Sequence, residues 1–197
     1  GANAVRAACR EPEYPHRRTA FIVAGQLPAS ETLPTLMTLF KKDQTQRHDI
    51  LKAISEQGPS ARAALPMLYK AFDPSEPHES ARILDVILAI DLSNRASRRV
   101  MELYSQLLTK PKDPKSQSDP RFSLCRRIRL HGPRAETAVP AIITCLTSTD
   151  RAAIQALQAI GPDAAEATET LRKMLADETT DERLQTYLRE ALNSIAT

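Results

Sequence analysis

Apolar side chains recur along this chain in short bursts with one spacing. Ala61, Ala64, Leu65, Leu68 and Phe72 are matched by Ala135, Ala138, Val139, Ile142 and Leu146, and again by Ala164, Ala167, Thr168, Leu171 and Leu175. Steps of three, one, three and four residues place such positions on one face of an α-helix. The same spacing runs through Ala29, Thr32, Leu33, Leu36 and Phe40, and through Ala96, Arg99, Val100, Leu103 and Leu107, where Arg99 breaks the apolar slot. The pattern predicts helices near 29–41, 61–72, 96–109, 135–147 and 164–176.

Three of these helices follow a Gly-Pro signal at Gly58-Pro59, Gly132-Pro133 and Gly161-Pro162. Upstream of each lies another apolar pair at constant distance, Leu51 and Ile54, Cys125 and Ile128, Ile154 and Leu157. Each unit therefore reads as helix, tight turn, helix. The glycine is expected to stop the first helix in the left-handed region, and the proline to prevent its continuation. Leu184, Leu188, Leu192 and Ile195 predict a closing helix, and the Lys/Pro/Ser stretch at 110–120 a mobile inserted loop.

Ala153 to Pro162, reading Ala-Ile-Gln-Ala-Leu-Gln-Ala-Ile-Gly-Pro, resembles the short HEAT-like repeats of the phycobilisome-lyase kind, within the armadillo-like α-solenoids. The resemblance covers nearly the whole chain. Tetratricopeptide and ankyrin patterns do not fit, because there is no Trp, no Leu-Gly-x-x-Tyr and no Thr-Pro-Leu-His. It implies an all-α, right-handed α-α superhelix of about five helix pairs, forming a single domain over 1–197. It also implies that the second helices line a concave side and the first helices a convex one.

Composition agrees with helices. The 42% hydrophobic residues suffice for a core, while 5 glycines and 4% aromatics argue against a sheet sandwich. Most of the 14 prolines fall between periodic segments or in first turns. No run nears the roughly 18 consecutive apolar residues that a membrane-spanning helix needs, so no membrane insertion is expected. Gly1 reads as the remnant of a removed tag, which leaves the compartment and any neighbouring domains of a longer parent protein open. Cys9, Cys125 and Cys145 are odd in number and lack a C-x-x-C spacing, against a disulfide framework or a zinc site. Cys125 and Cys145 occupy slots that are apolar elsewhere and read as core thiols.

Signatures of chemistry are scarce. His16, His48 and His78 recur near first-helix starts, but side chains one helix pair apart stand about 10 Å from each other, too far to share an ion. There is no G-x-S-x-G, no G-x-x-x-x-G-K-S/T and no G-x-G-x-x-G. No catalytic residue, cofactor or metal is expected, and the chain reads as a non-enzymatic scaffold that binds a protein or peptide.

Two surfaces are candidates. Slots five and eight residues after each leading alanine, opposite the predicted buried face, hold Pro34 and Met37, Pro66 and Tyr69, Met101 and Tyr104, Pro140 and Ile143, and Glu169 and Arg172. Met37, Tyr69, Met101, Tyr104, Ile143 and Arg172 are thus the expected partner-binding strip, since Met and aromatic side chains favour interfaces. The second surface is electrostatic. Residues 1–94 carry eleven basic and eleven acidic side chains, 95–134 eleven against three, and 135–197 five against ten. Arg95, Arg98, Arg99, Arg126, Arg127 and Arg129 in the basic middle are candidates for binding nucleic acid or another polyanion. HEAT-like DNA glycosylases offer one precedent for that use, and the lyase resemblance permits a third reading, a subunit of a bilin-lyase-like enzyme.

Overall fold

The computed structural model describes residues 1–13, 15–110, 119–146 and 151–197, and these are helical with no strand among them. The chain divides into two compact units, Gly1–Ala96 and Ser97–Thr197. The first contains α1 (Ala2–Arg10), α2 (Arg17–Gln26), α3 (Ala29–Lys42), α4 (Arg47–Glu56), α5 (Leu65–Ala71) and α6 (Pro77–Ile90). α7 (Asn94–Leu108) leads into the second, followed by α8 (Pro120–Ile128), α9 (Val139–Thr144), α10 (Arg151–Ile160), α11 (Thr168–Ala176) and α12 (Glu182–Ala196). The loop expected at 110–120 and the end of the helix expected at 135–147 lie largely outside the described residues.

Within each unit the first helices stack on one another. α4 packs between α2 and α6, and α10 between α8 and α12. Leu36, Leu68, Ile142 and Leu171, which share one slot, are all fully buried, as are Ala61, Ala135 and Ala164 at the leading slot. Small side chains there let neighbouring backbones approach. Burying one Leu or Ile contributes about 1.5–3 kcal/mol, so the shared slot supplies a similar stabilisation in both units.

The three Gly-Pro segments depart from a plain helix in a common way. Gly58, Gly132 and Gly161 have φ of +53, +54 and +75°, the region that side chains with a Cβ rarely enter. At Gly132 ψ is −134°, away from the left-handed helical minimum that the sequence predicts. Each glycine is followed by tight 3-10 turns, reaching Ala64, Ala138 and Ala167, before the α-helix begins. Ala61 (φ −88, ψ 15) and Ala164 (φ −93, ψ 19) mark the same bend. Pro66 and Pro140 open α5 and α9, yet Glu169 stands in their slot and the bend at Ala164 persists. A proline at that slot is therefore not what bends the segment.

Loops use a second recurring device. Asp43, Asp73, Asp91 and Asp177 follow helices, and each Oδ1 accepts the N–H of the Ser or Thr two residues on, at 2.8–3.1 Å. Such a carboxylate replaces the helical partners that the turn removes. In the first unit a buried amide adds a further tie: Gln57 Nε2 donates to Ala24 O (3.0 Å) and to Thr32 Oγ1 (2.7 Å), joining the ends of α2 and α4 to the start of α3.

Two elements differ from the sequence reading. α1 lies ahead of the predicted pairs and is held by arginines: Arg17 Nε donates to Cys9 O (2.9 Å), and Arg6 Nη1 to Glu31 O (2.7 Å). α7 is rotated relative to the expected register. Its buried residues are Ala96, Ser97, Val100, Met101, Tyr104, Leu107 and Leu108, whereas Arg99 is exposed and Leu103 half-buried. The physical reason is charge. The common spacing would put the Arg99 guanidinium in the core at a cost of several kcal/mol, while the rotated face contains no charged residue.

Candidate functional site

The slots expected to face outward do so in four of the five helices. Pro34, Pro66 and Pro140 are exposed, Met37, Tyr69 and Ile143 half-buried, and Glu169 and Arg172 exposed. Met101 and Tyr104 are corrections to the expected strip. Both are 0% exposed, Tyr104 with its ring 6.5 Å from that of His131, so they are core and offer nothing to a partner.

In the first unit the outward slots of α3 and of the segment ending in α5 border an open groove. One cavity of about 600 Å³ is lined by residues that include Met37, Phe40, Lys41, Ala63, Pro66, Met67 and Lys70. A second of about 530 Å³, lined by Ala29, Ser30, Pro34, Thr38 and Ser60 among others, shares Met37, Lys41 and Ala63 with it. The shared walls make one continuous depression along α3. Each cavity by itself lies in the range of small-ligand and side-chain-binding clefts, about 300–1,000 Å³.

The groove has an apolar floor and a basic rim. Met37 and Met67, both half-buried, supply the floor, Pro34, Pro66 and Ala63 are exposed beside it, and Lys41 and Lys70, also exposed, stand on α3 and α5. Among the described residues no acidic side chain lines either cavity. Arg47 also borders it but is committed: its guanidinium sits 4.6 Å from the Phe40 ring centroid, its Nε donates to Phe40 O at 3.2 Å, and Nη1 pairs with Glu79. Tyr69 does not line the groove.

Sequence reasoning found Met37 and the prolines but missed Ala63, Met67, Lys70 and Lys41. Met67 and Lys70 lie three residues apart on α5, one stripe over from Pro66 and Tyr69, and Ala63 precedes them in the 3-10 segment. A groove between two helices draws on that stripe as well as on the outermost one, so a wider arc of positions was the available signal.

The candidate arginines are distributed between the units. Arg95 belongs to the first and Arg98, Arg99, Arg126, Arg127 and Arg129 to the second. Arg95, Arg98, Arg99, Arg126 and Arg129 are exposed and Arg127 half-buried. Arg129 Nη1 donates to Gln155 Oε1 (3.0 Å), and Arg121 chelates Asp119 at the start of α8. Lys112 and Lys115 lie outside the described residues.

No group of three or more potential metal-ligating side chains occurs among the described residues. Cys9, Cys125 and Cys145 are buried thiols, as the slot argument predicts for the last two. Burial pushes the Cys9 thiol up to about 11 against the opposing charge of Arg17, which keeps it protonated and unreactive at neutral pH. No described helix is long and apolar enough to cross a membrane.

The fold and site together define an all-helical chain with an apolar, basic-rimmed groove on its first unit. The chain matches no protein-family model and none of the curated proteins compared with it.

Proposed function

We propose that this chain is a non-enzymatic module that binds a protein or peptide along the outward side of its second helices. In this reading the helix pairs of each unit stack as a stretch of right-handed, HEAT-like superhelix, and the groove beside α3 and α5 is the principal contact surface. The observation that supports it is the continuous depression bordered by Met37, Pro34, Pro66 and Met67. Stacked helix pairs present extended surfaces of this kind, and unbranched Met side chains adapt to varied apolar partners. A random-peptide display selection on the intact chain tests the reading. Selected peptides should lose binding to Met37→Glu while the variant keeps its helical circular dichroism. Equal binding to parent and variant would place the contact surface elsewhere.

A second reading, polyanion binding, is favoured by the exposure of Arg98, Arg99 and Arg126. It predicts retention on heparin with a steep salt dependence, abolished by Arg98→Glu together with Arg99→Glu.

A further inference from the structure

We infer that the groove of the first unit takes an acidic, apolar-anchored peptide segment of a partner protein. This rests on the groove being the binding surface, and it adds the chemistry of the occupant. The argument is charge complementarity. Lys41 and Lys70 are the two exposed charges on the walls, and they flank the floor made by Met37 and Met67. The third cation, Arg47, already has Glu79 as its counter-ion. With no carboxylate among the described lining residues, the rim carries two lysine charges that none of those residues offsets.

An occupant with Glu or Asp side chains supplies that offset, and a long aliphatic side chain fills the floor. Exposed lysines contribute little affinity each and are screened by salt. Affinity should therefore come from the apolar anchor, while the lysines select the sign of the partner's charge and speed its encounter. A basic peptide with the same anchor meets like charge on both walls and binds more weakly.

The test uses fluorescence anisotropy on the intact chain with two synthetic peptides. One alternates Glu with Leu, and the other has Lys in place of each Glu. The Glu/Leu peptide should bind, more weakly as salt is raised, and the Lys/Leu peptide should bind about tenfold more weakly than it at low salt. The double variant K41E/K70E should weaken the Glu/Leu peptide about tenfold, the sum expected from two exposed ion pairs, and turn the preference toward the Lys/Leu peptide. Equal binding of both peptides, lost in Met37→Glu, would overturn the acidic assignment and leave the groove as the binding surface. Glu/Leu binding unaffected by K41E/K70E and by Met37→Glu would overturn both. Failure of the Glu/Leu peptide to bind while display-selected peptides still depend on Met37 would overturn only the acidic assignment. A dimer seen in sedimentation velocity and lost in K41E/K70E would make a second copy the occupant, and would overturn the assignment to a partner peptide.

Discussion

The two units put different residues in the same outward slots and gain different surfaces. In the first, Pro34, Met37 and Pro66 border a groove whose rim is Lys41 and Lys70. In the second, the corresponding positions run from Pro140 and Ile143 to Glu169 and Arg172, with Glu169 held by Lys173 at 2.6 Å one helical turn on. Their cores are alike at the slot of Leu68 and Leu171, both fully buried. Core slots constrain the helix pair and leave the outward slots free to vary, so any difference in function between the units resides in side chains that the fold does not require.

α7 is where that comparison is most easily broken. It supplies the second unit with Met101 and Tyr104 as core residues, although their slots face outward in the other four helices. Tyr104→Ala should destabilise the chain by about 3–5 kcal/mol, the cost of deleting a buried aromatic ring. Leu103→Ala, at a half-buried position, should cost only about 1 kcal/mol. Urea unfolding midpoints measure both, and the reverse order would restore the register in which Leu103 faces the core.

The glycines sharpen the comparison on a smaller scale, because two different constraints act on them. A Cβ on Gly25 in α2 would stand 3.0 Å from both Cα and O of Ala53 in α4, and 2.7 Å from Glu56 Oε2. Gly25→Ala must push α2 away from α4 in the first unit, at about 1–3 kcal/mol. At Gly161 in the second unit a Cβ has room, its nearest neighbour being Ser194 O at 3.8 Å. The cost of Gly161→Ala is that of the positive φ alone, about 1–2 kcal/mol. Thermal melts of the two variants should differ in that order.

How far these features could be read from the sequence follows from how local their causes are. The Gly-Pro turns and the shared buried slots were legible, since a helical face and a positive-φ glycine leave their mark within a dozen residues. The bend into 3-10 turns before α5, α9 and α11 was not, because Ala61 and Ala164 look like ordinary helix formers. α1 escaped notice because only Cys9 among its residues is buried and its ties are made by Arg6 and Arg17 to distant carbonyls. For α7, Arg99 in an apolar slot was the visible signal that the register was wrong, and Val100, Met101, Tyr104, Leu107 and Leu108 spelled out the alternative. The groove was half legible: Met37 stood out on α3, but Lys70 acquires a role only when the second wall is placed opposite.

The smallest predicted effects concern the Asp-x-Ser/Thr turns, and here too the units differ. Asp43 in the first unit is partly buried, which by itself raises its pKa. The Thr45 hydroxyl, the Arg17 guanidinium at 2.6 Å and the Gln46 N–H outweigh that and hold it below the ordinary value of 3.8. Asp177 in the second unit is also lowered, by the hydroxyl and N–H of Thr179, but is fully exposed. A carboxylate whose pKa is lower in the folded state contributes stability that is fully present above its unfolded value and is lost as pH falls through the folded one. Asp43→Asn should therefore cost about 0.5–1 kcal/mol at neutral pH, because the Asn oxygen still accepts the turn's N–H groups and only the charge is lost, and progressively less as the pH falls below 3.8. Asp177→Asn should show the same trend with a smaller amplitude, because solvent already satisfies that carboxylate. Urea midpoints at neutral and strongly acidic pH measure both. A gap between parent and Asp43→Asn that stayed constant on acidification would show that the ionised carboxylate is not what holds the turn after α3.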